Sequence, residues 1–297
     1  MPYIIRKPTN NLSMATKHIA QTTGLHRNTI DKYYTKPETV NICIEHIKKN
    51  VIIDDKDLII EPSAGDGAFI AGIKSLAYNC LFYDIEPEPD NGEIVKQDFL
   101  ALNIHSSGLN KIHIVGNPPF GRQSSLAIKF IKKSCEFADS ISFILPKSFK
   151  KDSLIKKVPL NFHRVAEIDL PDSSFIVNGA PHNVPCIFQI WVKKAYNRDV
   201  IEQVEPINFH FVKKTENPDI SFRRVGVNAG FIDICGDASA ASKAASIQSH
   251  YFIKFTNIHS VAENIKRLSA ITYDFNNTIG PKSISKQELI QLFNPLL

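Results

Sequence analysis

Short apolar runs of strand length alternate with segments of helical periodicity in the first half of the chain. Five such runs predict buried strands: Leu58–Ile60, Leu81–Ile85, Ile94–Lys96, Ile112–Val115 and Ile141–Leu145. The periodicity predicts helices between them at Ala68–Leu76 and Ser125–Phe137. Because strands joined by helices are covered on both faces, this alternation predicts an α/β fold with a doubly wound, mostly parallel sheet.

The pattern changes on both sides of this region. Before it, Pro37 is well placed in the first turn of a helical run, Glu38–Asn50. After it, Val165–Asp169 and Cys186–Lys193 predict two strands that form an antiparallel edge, with a loop at 171–185 between them. Further segments predict a smaller C-terminal α+β extension: Ile207–Val212, Ile220–Val227, Phe231–Cys235, Tyr251–Phe255 and the helix Ser260–Leu268.

We divide the chain into three parts on this basis. Residues 1–33 form a helical N-terminal segment, residues 34–199 the α/β domain and residues 200–297 the extension. Residues 16–34 also have the spacing of a helix-turn-helix, with Ala20, Gly24 and Ile30 at suitable positions, although a helical segment packed on the α/β domain explains them as well. The stretch 236–249, rich in Ala and Ser, is predicted to be a mobile loop.

Composition and charge narrow the class of protein. The 297 residues are 43% hydrophobic and 22% charged, which is typical of a globular protein with a large core. No apolar run is long enough to cross a bilayer and the N-terminus lacks the apolar stretch of a signal peptide, so we expect an intracellular protein, cytoplasmic or nuclear. The five cysteines are widely spaced and predict reduced side chains without a metal site. The net charge of +5 permits a polyanionic partner without requiring one.

The most informative motif, Glu61–Phe69, lies where the first predicted strand ends and a helix begins. Gly65 and Gly67 allow the backbone of this turn to approach a ligand and to present unpaired helix N–H groups. The turn lacks Gly-x-Gly-x-x-Gly and the Walker phosphate loop, and its acidic residues favour a cofactor that carries positive charge. We assign cofactor contacts to Glu61, Pro62, Ser63, Ala64, Gly65, Asp66 and Gly67.

Acidic residues also end the next two predicted strands. Asp84 follows the glycine turn by about 20 residues, the usual separation of an acid that holds ribose hydroxyls in this architecture, and Ile85 comes directly after it. Asp98 and Phe99 end the third strand. Since adjacent parallel strands end at one edge of a sheet, we assign Asp84, Ile85, Asp98 and Phe99 to the same cofactor site.

The fourth predicted strand ends in Asn117-Pro118-Pro119-Phe120. The two prolines fix the backbone and leave carbonyl groups without N–H partners of their own, beside a rigidly held amide and an aromatic ring. An amino group on a flat ring fits such a site, because the Asn117 amide oxygen and a backbone carbonyl each accept one N–H while Phe120 stacks on the ring. The motif therefore predicts chemistry at the amine of a base, with Asn117, Pro118, Pro119 and Phe120 as catalytic residues.

Together these motifs resemble class I S-adenosylmethionine-dependent methyltransferases that methylate amino groups, in particular the N6-adenine methyltransferase family. Glu61–Phe69 is similar to the family's cofactor-binding motif, and Asn117–Phe120 matches its catalytic Asn-Pro-Pro-Phe/Tyr motif. Tyr34–Pro37 resembles the N-terminal motif that contacts the methionine end of the cofactor, with a lysine inserted where many members read Tyr-Thr-Pro. Ile144–Pro146 is similar to a later core motif. The resemblance covers residues 34–193.

The resemblance implies a Rossmann-like fold, S-adenosyl-L-methionine as the cofactor, and cofactor contacts from Tyr34 and Thr35 in addition to those above. It also implies in-line placement of the amine without a metal or a covalent nucleophile. A base in a duplex would have to leave the stack, and Phe120 and Phe175 would then enclose it. Arg122 and Lys147, with the neighbouring lysines 150 and 151, follow strand ends and would contact nucleic-acid phosphates.

Several substrates are compatible with these motifs. The motif order and the size of the extension favour adenine N6 in DNA, and adenine in RNA comes second because Asn-Pro-Pro-Phe-Gly also resembles ribosomal and messenger RNA enzymes. A protein glutamine amide comes third, and a binding subunit without catalysis is a fourth alternative. His182 and Asn183 either border the target base or cap a turn. We expect nucleic acid as the partner, and a partner subunit or a second copy of the chain is also compatible. The richness in Ile, Asn and Lys is typical of AT-rich genomes such as those of large DNA viruses or of parasites.

Overall fold

Most of the apolar runs become strands of a seven-stranded sheet in the computed structural model, which describes residues 33–88, 92–104, 110–177, 179–200, 202–235, 245–273 and 282–297. The strands in chain order are β1 (Tyr34–Thr35), β2 (Leu58–Glu61), β3 (Asn79–Asp84), β4 (Ile94–Lys96), β5 (Ile112–Gly116), β6 (Ser140–Pro146), β7 (Phe162–Asp169), β8 (Phe175–Val177), β9 (Ala180–His182), β10 (Cys186–Lys193), β11 (Phe209–Val212), β12 (Ile220–Arg223), β13 (Ile232–Ile234) and β14 (His250–Phe255). The helices are α1 (Pro37–Asn50), α2 (Ile70–Lys74), α3 (Ser125–Cys135), α4 (Asp152–Ile155), α5 (Val261–Leu268) and α6 (Lys286–Phe293). Residues 1–32, which hold nearly all of the proposed helix-turn-helix, and most of the predicted loop 236–249 lie outside the described residues.

The large sheet has the strand order β4-β3-β2-β5-β6-β10-β7. Its first five strands are parallel, and β10 runs antiparallel to both of its neighbours, β6 and β7. Every residue of β6 is buried, as expected for a central strand that is covered on both faces. The predicted Rossmann-like, mostly parallel sheet with an antiparallel edge is therefore confirmed.

Helices cover the two faces of this sheet. α1 begins at Pro37 and packs Ile44 and Ile47 on one face together with α2, whereas α3 packs Phe130 and Ile131 on the other. α2 is shorter than predicted because the glycine turn continues to Phe69 and leaves only Ile70–Lys74 helical.

A second sheet, β1-β8-β9, is a correction to the sequence analysis. The stretch 171–185, expected to be a loop, contains the hairpin β8–β9, and β8 pairs antiparallel with β1. Thr35 lies opposite Phe175, and Phe175 lies opposite His182. Strands of two or three residues are too short to show a period of two, and Pro181 lies within β9, so the sequence carried no strand signal here.

The predicted α+β character of the C-terminal extension is confirmed. Its antiparallel sheet has the order β11-β14-β12-β13, and its core contains Phe209 and Phe222 from the strands and Phe293 from α6. Helix α6 is an addition to the predicted elements, and Ser285 and Glu288 form a capping box at its start. Within the described ranges, no helix combines the length and the apolar composition needed to cross a membrane.

Candidate active site

The predicted site residues follow the carboxyl ends of adjacent parallel strands. Glu61 ends β2, Asp84 ends β3, Asp98 follows β4, and Asn117 follows β5. Parallel strands bring their carboxyl ends to one edge of the sheet, which is where α/β proteins bind ligands. We call this edge of the large sheet the carboxyl edge.

The glycine turn and Asp84 are joined at this edge. Gly65 has a φ of +56°, a conformation that favours glycine, and its N–H donates to Asp84 Oδ2 at 2.9 Å. The N–H of Glu86 donates to Asp84 Oδ1 at 2.8 Å. These two bonds fix the carboxylate and leave lone pairs on both oxygens for further donors. Ile85, next to it, is 60% exposed and offers an apolar surface.

Glu61 is a buried carboxylate with unused hydrogen-bonding capacity. The residue is 2% exposed, and its Oε2 has no hydrogen-bond partner among the described residues. Burial, with the nearby charges of Asp66 and Asp84, raises the pKa of Glu61 well above its usual value. The side chain lies against Gly116, where a Cβ would come within 3.2 Å of Glu61 Cγ. A buried acceptor of this kind favours a ligand that brings a positive charge or N–H donors.

Tyr34 lies beside the glycine turn. A Cβ on Gly65 would lie 3.6 Å from the Tyr34 ring, and the Tyr34 hydroxyl donates to Glu88 Oε1 at 2.5 Å. Burial, together with Glu88, raises the pKa of Asp66 in spite of a hydrogen bond from the Ala68 N–H. Carboxylates are therefore concentrated around the glycine turn.

The NH2 end of the Asn117 amide is hydrogen-bonded within the protein. Its Nδ2 donates to Thr35 Oγ1 at 3.2 Å and to the Tyr33 carbonyl at 3.4 Å. Its Oδ1 is buried and has no partner in the described part of the chain. The backbone carbonyl of Asn117 accepts from Ser63 Oγ at 3.1 Å, which ties the motif to the glycine turn. The amide oxygen is thus available to accept an N–H from a ligand.

The rest of this motif is held by α3 and the core. The Phe120 carbonyl accepts from the N–H groups of Leu126 and Ala127 at 3.1 and 3.3 Å, at the start of α3. Pro118 is buried, whereas Pro119 is partly exposed. The Phe120 ring is half-buried and packs against the core, which leaves part of its surface accessible.

Two aromatic rings assigned to ligand contacts lie in the core instead. Phe99 is 1% exposed and stacks on Phe130 with ring centroids 5.3 Å apart. Phe175 has no exposed surface and makes an edge contact with Tyr33 at 6.1 Å. Because both rings are completely buried, neither has a free face on which a ligand could stack. Burial of this kind is favourable, since large aromatic side chains bury the most apolar area. Asp98 is exposed and accepts from the Leu100 N–H at 2.9 Å.

The basic residues at this edge differ in their surroundings. Arg122 is exposed and has no ion pair with any described residue. Lys147 Nζ and Lys150 Nζ lie 3.4 and 2.8 Å from the two carboxylate oxygens of Asp169. The hydrogen bond from Lys150 lowers the pKa of Asp169. Lys151 instead donates to the Ser283 carbonyl and hydroxyl at 3.1 and 3.0 Å, which links the edge to the extension.

Tyr33, which the sequence does not single out, lies beside the hairpin residue His182. The two rings lie 5.5 Å apart, and the register of the small sheet puts His182 on the same face as Thr35. The pairing of β1 with the hairpin β8–β9 brings His182 beside Tyr33, whose carbonyl accepts from Asn117 Nδ2, and no local sequence pattern predicts that pairing. Across the described ranges, no group of three or more His, Cys, Asp or Glu side chains could hold a metal ion.

Comparisons with known proteins find partial similarities. No protein-family model matches the sequence. The Arabidopsis thaliana protein named ENHANCED DOWNY MILDEW 2 is 27% identical over 129 residues, which are 41% of this chain and 10% of that protein. A Methanococcus maripaludis protein, named as a ribosomal RNA small subunit methyltransferase A, is 29% identical over 97 residues, 29% of this chain and 36% of that protein. The chain thus spans only a tenth and about a third of the length of these two curated relatives.

Similar solved structures include a dimethyladenosine transferase from Plasmodium falciparum. It is 16% identical to this chain with a TM-score of 0.39, over 55% of this chain and 64% of that one. The 23S rRNA methyltransferase ErmE is 14% identical with a TM-score of 0.43, over 56% of this chain and 71% of that one. These similarities are low and extend over about half of the chain.

Proposed function

We propose that this chain is an S-adenosyl-L-methionine-dependent methyltransferase that transfers a methyl group to the exocyclic amino group, N6, of adenine in nucleic acid. The observation that carries the proposal is the Asn117 amide, whose NH2 is committed to Thr35 and Tyr33 while its buried Oδ1 remains open. An open acceptor in a rigid motif fits a substrate that donates N–H.

The carboxyl edge has the side chains that such a cofactor needs. Asp84 retains lone pairs for ribose hydroxyls, and the exposed Ile85 offers an apolar surface for the adenine ring. Glu61 and Asp66 supply negative charge for the ammonium end of the methionine part, and the unpartnered Oε2 of Glu61 is the observation that fits a cationic group. Tyr34, beside the glycine turn, would contact the same part.

The cofactor supplies an electrophilic methyl group, so the chain needs no covalent nucleophile. Asn117 Oδ1 and the Pro118 carbonyl accept the two N–H bonds of the target amine and orient its lone pair. The amine acquires positive charge during transfer, and two fixed acceptors stabilise that charge without reorganising.

The target base is placed by aromatic surfaces. Phe120 stacks on one face of adenine beside Asn117. Because Phe175 is fully buried, we assign the second surface to His182, which shares a face of the small sheet with Thr35, and to Tyr33, whose ring lies 5.5 Å from it. An adenine in a duplex would leave the stack to reach this position.

We propose DNA as the first candidate polymer, because the order of the motifs and the size of the C-terminal extension favour it. RNA is the second candidate, and the specific observation in its favour is that the Methanococcus maripaludis relative is named as a ribosomal RNA methyltransferase. The exposed Arg122 is suited to a backbone phosphate of either polymer.

Transfer from methyl-labelled S-adenosylmethionine to matched double-stranded DNA, single-stranded DNA and structured RNA, followed by digestion and mass analysis, tests the proposal. We expect label in N6-methyldeoxyadenosine, or in N6-methyladenosine if RNA is the substrate. Asn117→Ala is the control, with cofactor affinity measured by titration calorimetry. Absence of cofactor binding would reject the enzymatic proposal, and label only in a protein glutamine amide would reject adenine.

A further inference from the structure

The two ends of the Asn117 amide are alike in shape and opposite in hydrogen bonding. Its Nδ2 lies 3.2 Å from Thr35 Oγ1 and 3.4 Å from the Tyr33 carbonyl oxygen. A carbonyl oxygen can only accept, so the amide group that faces Tyr33 must be the NH2. The amide oxygen is therefore the end that remains without a partner among the described residues.

Thr35 is itself fixed from a different part of the chain. It pairs with Phe175 across β1 and β8, and the N–H of the next residue, Lys36, donates to the Ser174 carbonyl at 3.0 Å. Thr35 is 6% exposed, and a β-branched side chain has few rotamers in a buried strand. The strand pairing, rather than Asn117, therefore determines where the Thr35 hydroxyl lies.

We propose that Thr35 and the Tyr33 carbonyl form a polarity lock on Asn117, which holds the amide oxygen toward the substrate. The proposal rests on the function proposed above and adds which chemical group of a base the site accepts. A locked oxygen accepts an amino group such as adenine N6 and repels a carbonyl such as guanine O6 or thymine O4. An amide rotated by 180° would present its NH2 instead, which would donate to a carbonyl oxygen and repel an amino group. Thr35 acts through Asn117 and is a positioning residue.

Two substitutions at position 35 separate this role from packing. Thr35→Val keeps the shape and the β-branch but removes the acceptor, whereas Thr35→Ser keeps the hydroxyl and removes the methyl group. The lock predicts that Thr35→Val lowers kcat about three- to tenfold, the effect of one hydrogen bond, and that Thr35→Ser recovers most of it. Cofactor affinity, measured by titration calorimetry, separates the lock, which changes kcat alone, from the cofactor contact that the family resemblance assigns to Thr35. A packing role predicts the opposite order, with valine tolerated and serine defective.

Thr39→Val is the matched control. Thr39 is buried on α1, so the control makes the same chemical change in the same part of the fold. We expect it to leave kcat unchanged. Full turnover in Thr35→Val, measured against an active wild type, would overturn the lock and leave the proposed function intact.

Hydrogen exchange of the Asn117 side-chain NH2, followed by NMR on protein labelled with 15N-asparagine, tests the lock without turnover. We expect slow exchange in the wild type and faster exchange in Thr35→Val, with Thr35→Ser close to the wild type. Fast exchange in the wild type would overturn the lock whether or not any polymer is methylated. Slow exchange in a protein that methylates none of the polymers would support the lock and reject the proposed function.

Discussion

The two ends of the parallel sheet differ in whether their buried polar groups have hydrogen-bond partners. At the amino ends of β2, β5 and β6, Asp57, His113 and Ser140 form a connected network: His113 Nε2 lies 3.1 Å from Asp57 Oδ2, and His113 Nδ1 lies 2.7 Å from Ser140 Oγ. Asp57 also accepts from the N–H groups of Asp54 and Lys111 at 2.8 and 3.1 Å. Every member of this amino-end network has a partner.

At the carboxyl edge, Glu61 Oε2 and Asn117 Oδ1 are equally buried and have no partner in the described ranges. Elsewhere in the fold, Ser142 within β6 and Ser221 in β12 of the extension also lack a hydrogen-bond partner, but a lone neutral hydroxyl costs less than a buried carboxylate. A buried ionisable group with an unpartnered oxygen persists in a fold when something other than stability retains it. Unused hydrogen-bonding capacity, rather than burial, therefore distinguishes the candidate site.

The amino-end network shows why composition alone misleads. It contains the Ser, His and Asp of a hydrolytic triad, yet the three residues are 2%, 2% and 0% exposed. A substrate cannot reach a hydroxyl that is enclosed in the core. The sequence lacks the nucleophile-elbow motif as well, so the network is structural.

The two ends also differ in the sign of their pH dependence. Burial opposes ionisation of Asp57, but hydrogen bonds from Asp54, His113 and Lys111 outweigh it and lower its pKa, and burial lowers the pKa of His113. Both groups therefore stabilise the fold above their ordinary pKa values and lose that contribution on acidification. Glu61 has a raised pKa, so its contribution is present below its ordinary value and is lost as the pH rises through the raised one.

The largest expected effect is on catalysis at the carboxyl edge. We expect Asn117→Ala to lower kcat about 10²- to 10³-fold, because it removes a fixed acceptor for the charge that develops on the amine. Its unfolding free energy should fall by no more than about 1–2 kcal/mol, since the amide oxygen has no partner in the described structure and only the two Nδ2 hydrogen bonds to Thr35 and Tyr33 are lost. Asn103→Ala, at an exposed position, is the control. A variant that is unstable but active would reverse the comparison between the two ends.

The second effect is on stability at the amino end. We expect Asp57→Asn to lower the unfolding free energy by about 1–3 kcal/mol, because an amide cannot replace a carboxylate that accepts three hydrogen bonds. Denaturant unfolding at neutral pH measures this loss, and methyl transfer by the folded enzyme should be unchanged. Asp55→Asn, at an exposed position outside the network, is the control, and it should change neither the unfolding free energy nor turnover. A loss of turnover without a loss of stability would contradict the structural role.

The third effect joins stability to cofactor binding. We expect Glu61→Gln to stabilise the cofactor-free protein at pH 8 and to flatten its loss of stability above pH 4.5, the ordinary pKa of this carboxyl. The same change should weaken cofactor binding about tenfold, because a neutral amide replaces a charge-assisted acceptor. Unfolding and calorimetric titration across this pH range check both, with the exposed Glu202→Gln as control. A steeper pH dependence in the variant would contradict the raised pKa.

The sequence was sufficient wherever local chemistry determines structure. The strands of the parallel sheet could be predicted because both of their faces are buried, which gives continuous apolar runs such as Ile141–Leu145. The glycine turn could be predicted because Gly65 and Gly67 adopt positive φ values that other residues avoid. Both features are visible within a few consecutive residues.

Contacts between distant segments could not be predicted. Tyr33 and Asn117 are 84 residues apart, and they meet only because the hairpin β8–β9 pairs with β1. The direction of a ring depends on the same tertiary packing, which places Phe99 and Phe175 in the core and not at the ligand as the sequence predicts. The amino-end network likewise joins three strands across more than 50 residues of chain.

The smallest expected effect concerns the ion pairs of Asp169 with Lys147 and Lys150 at the carboxyl edge. Like the polar groups of the amino-end network, these charges are paired within the protein. Asp169→Asn removes the charge that holds Lys147 and Lys150, and we expect it to tighten nucleic-acid binding about two- to fivefold and to steepen its salt dependence by up to about one unit per lysine. The unfolding free energy should change by less than about 1 kcal/mol, since the Asp169 side chain is half exposed and surface pairs contribute little. Asp172→Asn makes the same change in net charge at an exposed neighbouring position. Equal salt slopes for the two variants would show that only net charge matters and that these lysines do not reach the nucleic acid.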